Sequence, residues 1–279
     1  MKNKLSLLIA GLCFSVILFS CKKSDDNNLT PDNNETMLAA RDFAVSENLT
    51  EDDNQIYLET TDREDISGYR PEGNGPGNLG CATVTVTPAS GFPKTIIIDF
   101  GTGCTSPNGV TRKGIIQIVV SDSLRFVGST SVMTFNNYYV NNLKREGTIT
   151  WTNQNTASGR GWQRKVENGK LTDSTGHFWT FESVKNIAQV AGFSTPHVIL
   201  DDAFSITGSG SVTNDSSVTR TNTITHALHK AVACDNIDEG EIRIVGPQHT
   251  TVLNFGHGEC DRIATISIDG QSPINILLR

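Results

Sequence analysis

Residues 81–87 read Cys-Ala-Thr-Val-Thr-Val-Thr, and this alternation decides the fold of the chain that follows. Apolar and hydroxyl side chains repeat there with a period of two, which is the pattern of a β-strand with one buried face. No convincing 3.6-residue period occurs after residue 79. The sequence therefore predicts an all-β domain over residues 79–279.

Twelve further strands are predicted beyond the run at 82–87. They cover residues 94–100, 113–120, 131–140, 146–153, 162–167, 177–185, 203–208, 218–228, 240–246, 249–255, 263–268 and 274–278. Turn sequences separate several of them, at Pro107-Asn108-Gly109, Asn168-Gly169, Ser174-Thr175-Gly176 and Asp269-Gly270. Strands this close together, with no helix to cross over, must pair antiparallel. We expect a two-layer sandwich first, and a long curled sheet or half-open barrel second.

The cysteines indicate two disulfides. Of six Cys, Cys13 and Cys21 lie in the N-terminal segment, which leaves Cys81, Cys104, Cys234 and Cys260. Phe100-Gly-Thr-Gly103 before Cys104 is echoed by Phe255-Gly-His-Gly258 before Cys260, and each copy has a Cys upstream. Pairing like with like predicts Cys81–Cys104 and Cys234–Cys260. A zinc site is disfavoured because no Cys-x-x-Cys pair occurs.

The first twenty residues have the layout of an export signal. Lys2 and Lys4 precede an uncharged run from Leu5 to Ser20, which is too short to span a bilayer. Leu18-Phe19-Ser20-Cys21 resembles the lipobox of bacterial lipoproteins, in which the Cys is acylated and becomes the first residue. The resemblance implies a signal peptide at 1–20 and a lipid anchor at Cys21; an ordinary secretory signal is the alternative.

Residues 21–78 are expected to form a lipid-anchored tether. Residues 22–34 are almost entirely polar, and two short helices are predicted, at Glu35–Glu47 and Asp52–Thr61. A Gly-rich linker covers Gly68–Gly80, with the domain boundary near Asn78. Removal of the signal takes away two lysines and moves the net charge from −7 to −9. This acidity argues against nucleic-acid binding. It also disfavours adhesion to anionic lipid by charge, so membrane association is expected through the lipid anchor at Cys21 alone.

No catalytic signature is found. Neither Gly-x-Ser-x-Gly nor His-Glu-x-x-His occurs, and no cofactor or metal motif is present. Asp201-Asp202 could be read as paired catalytic acids, but adjacent acids splay apart and turn stabilisation is the favoured interpretation. His226 and His229 are three apart, so on a strand they face opposite sides and would not share a metal.

Aromatic residues offer the strongest hint of a ligand. Trp151, Trp162 and Trp179 fall in three neighbouring predicted strands. A row facing water would form a platform for sugar rings or lipid, whereas core packing is the commoner fate of such residues.

Several motifs together resemble a family of uncharacterised lipoproteins from Bacteroidota. They are Cys81–Pro88, Phe92–Thr95, Ile98–Thr105, Thr111–Gly114, Phe135–Val140, Asp201-Asp202 and Asn254–Asp261. The resemblance implies a β fold and an outer-membrane location, on the periplasmic face or the cell surface, but no activity. Lys22 and Lys23 interrupt the acidic surface-export pattern of that group.

These features favour a non-catalytic cell-envelope module that binds a glycan, a lipid or a protein. The alternatives are a structural or adhesion component with protein contacts only, and a hydrolase without a recognisable motif. Exposed tryptophans would favour the ligand-binding module.

Overall fold

The computed structural model describes residues 31–64, 66, 79–107, 109–157, 159–195 and 198–278. Its elements are α1 (Pro31–Arg63), β1 (Thr83–Thr87), β2 (Lys94–Asp99), β3 (Cys104–Thr105), β4 (Thr111–Val120), β5 (Thr130–Val140), β6 (Leu143–Asn153), β7 (Gly161–Thr172), β8 (Phe178–Ala191), β9 (Ala203–Asn214), β10 (Thr219–Ala231), β11 (Glu239–Val245), β12 (Thr250–His257), β13 (Ile263–Ile268) and β14 (Ile274–Leu277). The predicted signal peptide, Cys21 and nearly all of the predicted Gly-rich linker lie outside the described residues.

The fourteen strands of the described residues form one open antiparallel sheet. Strands follow one another in chain order from β1 to β14, except that β3 pairs only with β4, beside β2. The all-β prediction is confirmed, and of the two architectures considered the single curled sheet is observed. Helix α1 covers the inner face of this sheet and so takes the place that a second sheet would occupy in a sandwich.

Every predicted strand is present, and only the two-residue β3 was missed. The predicted turn at Asn168-Gly169 is wrong. These residues lie inside β7, where the register shifts between Val166 and Gly169 and Asn168 has a φ of 52°. The pair therefore forms a β-bulge that bends a long strand instead of ending it. Asp269-Gly270, by contrast, does connect β13 to β14.

Both predicted disulfides are present. Cys81 pairs with Cys104 and Cys234 with Cys260, at Cα separations of 5.8 and 5.2 Å. The repeated motif also has a repeated geometry, since Asp99 Oδ1 accepts the Gly101 N–H at 2.7 Å and Asn254 Oδ1 accepts the Gly256 N–H at 2.8 Å.

Helix α1 differs from the sequence-based expectation. One continuous helix replaces the two short ones predicted at Glu35–Glu47 and Asp52–Thr61. Most of its side chains between Thr36 and Asp62 are buried, including every Asp and Glu of that stretch, whereas Arg41 is exposed. Within the described residues no helix is apolar enough along a sufficient length to cross a membrane.

Buried ion pairs hold this polar helix inside the sheet. Three consecutive acids reach three different strands: Glu51 contacts Arg164 on β7, Asp52 contacts Arg112 on β4, and Asp53 contacts Arg145 on β6. Successive helical residues point about 100° apart, so strands must surround α1 on several sides. Further pairs join Glu47 to Lys185 at 3.3 Å and Asp62 to Arg160 at 2.6 Å. The sheet therefore curls around the helix as a half-open barrel.

Candidate binding groove

The three tryptophans do not form a ligand platform. Trp151, Trp162 and Trp179 are 1, 5 and 3% exposed and face the interior. Trp151 stacks on Tyr57 of α1 with ring centroids 4.4 Å apart, and its indole N–H donates to Asn54 at 2.9 Å. Trp179 donates to Ser46 at 2.7 Å. The platform prediction is therefore wrong: α1 supplies polar partners for the indoles of Trp151 and Trp179, and Trp162 packs against Phe204 of β9 with ring centroids 5.1 Å apart.

A groove lies instead on the outer face of β8 and β9, near the C-terminal end of α1. We call it the Phe193 groove. It has a volume of about 420 Å³, within the range of small-molecule sites. Its lining comprises Gln154, Thr156, Gly159, Arg160, Gly161, Asn186, Ile187, Ala188, Gln189, Phe193, Ser205 and Thr207.

The alternation of inward and outward side chains along β8 and β9 determines which polar residues line the groove. On β8 the odd-numbered residues from Trp179 to Ile187 are buried, so Asn186 projects outward. On β9, Phe204 and Ile206 are buried, and the intervening Ser205 and the following Thr207 face out. Amide and hydroxyl groups from the two strands therefore stand side by side, each able to donate and accept hydrogen bonds.

Phe193 supplies the aromatic part of the groove. It lies in the connection between β8 and β9, and 53% of its surface is exposed. Gly159 makes room for the ring, because a Cβ there would come within 2.7 Å of Phe193 Cε1. One aromatic ring thus projects beside a set of neutral polar side chains.

Arg160 forms the rigid end of the groove. Its Nη2 donates to Asp62 of α1 at 2.6 Å, and its Nη1 lies 3.5 Å from Asp202 Oδ2. Gln189 accepts the backbone N–H of Arg160 at 3.1 Å and donates to Asp202 Oδ1 at 2.8 Å. Loop, strand and helix are therefore tied together at this end.

Asp202 depends on a tight fit. Burial raises the pKa of its carboxyl to about 6, against the opposing effect of Arg160. Gly192 has a φ of +82°, and a Cβ there would lie 2.0 Å from Asp202 Oδ1, so glycine is required. Asp201, in contrast, is exposed and accepts a hydrogen bond from Thr195 at 2.6 Å. The two acids point to different partners and do not form a catalytic pair.

A second depression continues along the same outer face. It has a volume of about 330 Å³ and is lined by outward side chains of β7, β8 and β9, among them Lys165, Glu182, Val184, Ser209 and Ser211. Ser209 follows Thr207 by two residues on β9, and Val184 precedes Asn186 by two on β8. An extended ligand could therefore follow the strands away from Phe193.

An inner cavity behind Arg160 is small. It has a volume of about 30 Å³ and is lined by Tyr57, Trp151 and Trp162 among others. That volume suits one or two water molecules. Ligand binding is therefore expected outside the sheet and not between sheet and helix.

Comparison of the chain with protein-family models, with curated proteins and with solved structures finds no match. The function must therefore be inferred from the groove itself. Sequence reasoning missed Phe193, Asn186 and Gln189, because a lone Phe in a loop and scattered amides carry no recognisable spacing.

Proposed function

We propose that this chain is a non-catalytic glycan-binding module of a bacterial outer-membrane lipoprotein. The observation that carries the proposal is the Phe193 groove, in which one exposed aromatic ring stands beside neutral amide and hydroxyl groups. Sugars present apolar C–H faces and many hydroxyls, so they need both a ring to lie on and groups that donate and accept. A few polar groups that fix orientation in a concave site are typical of small-molecule recognition.

The lipoprotein part of the proposal rests on the sequence. Cys21 follows an uncharged run behind two lysines, and Leu18–Cys21 resembles a lipobox. Acylation there would hold the domain at the membrane through lipid chains. Because the net charge is −7, we expect no electrostatic attraction of the chain to anionic lipid.

The test is a binding screen with purified protein. The chain is applied to a microarray of neutral oligosaccharides, and hits from glucan, xylan, mannan and chitin oligomers are measured by calorimetry. We expect saturable binding to at least one class, weakened about tenfold or more by Phe193→Ala, as for an aromatic anchor that the ligand covers. Phe126→Ala is the matched control, since Phe126 is also exposed but lies in the β4–β5 loop outside the groove. Absence of binding, or equal affinity of both variants, would reject the proposal.

A protein-contact role is the second candidate. Val198 and Leu200, 40 and 46% exposed, lie in the same connection as Phe193 and present apolar surface. Under this alternative the chain binds no glycan. Replacing both residues by Ser then removes cross-links to a neighbouring envelope protein in intact cells, whereas Phe193→Ala leaves those cross-links unchanged.

A further inference from the structure

A separate cavity lies near the opposite end of helix α1. It has a volume of about 200 Å³ and is lined by the helix residues Glu35 and Thr36 and by side chains that include Arg220, Gln248 and His249. We call it the Arg220 cavity. Glu35 and Asp62 are 27 positions apart in a helix that rises about 1.5 Å per residue, so the cavity lies roughly 40 Å from the Phe193 groove.

Arg220 is buried with unused hydrogen-bonding capacity. Its side chain is 6% exposed, and its Nη2 lies 3.2 Å from Glu35 Oε1. Its Nε and Nη1 have no hydrogen-bond partner among the described residues. Asn222, two residues along the inward face of β10, has neither amide atom paired within the same set. Buried donors of this kind are costly when left unsatisfied.

The surroundings hold the guanidinium against the wall of the cavity. Gly246, in the β11–β12 turn, leaves room for it, since a Cβ there would lie 3.2 Å from Arg220 Nε and 3.3 Å from its Cγ. The same turn is closed by the Gly246 N–H donating to the His249 carbonyl at 2.9 Å. Asp269 lies 2.6 Å from His249 Nδ1 and orients that ring.

The charges favour an anion with several acceptor oxygens. Arg220 provides a cation in a restricted volume, and arginine binds carboxylate and phosphate through its planar fork. Among the described residues, Glu35 is the carboxylate that pairs with Arg220, and because its side chain is 44% exposed an incoming anion can displace it. Gln248 and Thr36 add neutral donors along the wall.

We propose that the Arg220 cavity binds a phosphate group, with Arg220 as its main ligand and Glu35 as the competing internal carboxylate. Two sources of that group share the chemistry, free phosphate and the phosphomonoester of a headgroup. Cys21 lies ten positions before Pro31, so an acylated Cys21 would keep this end of the molecule within about 35 Å of a membrane.

The test is calorimetry of the purified chain with inorganic phosphate and, separately, with glycerol 3-phosphate. We expect saturable binding that Arg220→Gln weakens about tenfold or more. Glu35→Gln is expected to strengthen binding several-fold, a gain that a poorly folded variant does not produce. Arg243→Gln, on the exposed face of β11, is the matched control and is expected to bind like the unmodified protein.

The two ligands separate the sources. Glycerol 3-phosphate binding at least tenfold tighter than inorganic phosphate assigns a headgroup phosphomonoester, and equal affinities assign free phosphate. No saturable binding of either, or no effect of both Arg220→Gln and Glu35→Gln, overturns the proposal. Neither result bears on glycan binding, because the Phe193 groove shares no residue with this cavity.

Discussion

Arg112 Nη2 lies 2.7 and 2.8 Å from the two carboxylate oxygens of Asp52, although the side chains are only 0 and 4% exposed. This contact joins the middle of α1 to the start of β4. Charges removed from water this far are tolerated only in pairs. Glu51 and Asp53 form similar buried pairs with Arg164 and Arg145, so each acid in this turn of α1 needs its own arginine partner.

Breaking this pair is expected to be severe. Asp52→Ala leaves the Arg112 cation buried without its carboxylate and should lower the free energy of unfolding by about 3–5 kcal/mol. Urea denaturation measures the loss. Asp52→Leu combined with Arg112→Met should recover most of it, because an apolar pair carries no desolvation penalty. The partly exposed pair of Lys144 and Glu146 gives the control, where Glu146→Gln should cost at most about 1 kcal/mol.

Glu59 should make stability depend on pH. Burial raises the pKa of its carboxyl from 4.5 to about 7, opposed by a hydrogen bond from the Leu79 N–H. The folded state then holds this proton more tightly than the unfolded chain, so its contribution to the unfolding free energy falls as pH rises from about 4.5 to 7.

Glu59→Gln removes this dependence. The variant should gain stability relative to the unmodified protein by about 2–3 kcal/mol more at pH 8 than at pH 4, as measured by urea denaturation at both values. Glu182→Gln, at an exposed position of β8, is the control and should show no such difference. A Glu59→Gln effect that is the same at both pH values would contradict the assignment.

Gly159 should control the position of the aromatic ring. Gly159→Ala introduces a Cβ that would overlap Phe193 Cε1, so the exposed ring must move away from the groove. Under the proposed function, affinity for the oligosaccharide should fall about as far as in Phe193→Ala. In a double-mutant cycle, Gly159→Ala should cause no further loss once Phe193 is already Ala. Additive losses would show that Gly159 acts on the groove in another way.

Cys21 should carry the lipid. Cys21→Ser is expected to abolish metabolic labelling with an alkyne analogue of palmitate and to release the chain from the membrane fraction. Cys13→Ser, inside the predicted signal, is the control and should leave labelling intact. Persistent labelling of the Cys21→Ser chain would rule out the lipobox interpretation.

The strands are predictable from the sequence because each buries one face, so residues such as Val84, Val86 and Ile98 record the period directly. The disulfide pairing is predictable because the Phe-Gly-x-Gly motif occurs twice. β3 has only two residues and is too short to show a period. The bulge at Asn168 uses the same residue types as a turn, and only the neighbouring strands distinguish the two.

The helix and the groove could not be predicted in the same way. The polarity of α1 predicts a helix exposed to solvent. Its burial depends on ion pairs with residues far along the chain: Arg112 lies 60 positions after Asp52, and Arg164 lies 113 positions after Glu51. The tryptophans are buried by that same helix. The side chains that line the Phe193 groove come from two strands and two loops, and no local spacing in the sequence predicts that they lie together.

The polarity of α1 also has a consequence for the state of the chain before it folds. The helix precedes every strand of the described residues, so its carboxylates are synthesised before any of the arginines that pair with them. An apolar central helix would expose sticky surface throughout that interval. A helix rich in Asp and Glu stays hydrated during that interval. It becomes part of the core only when the strands that carry the pairing cations fold around it.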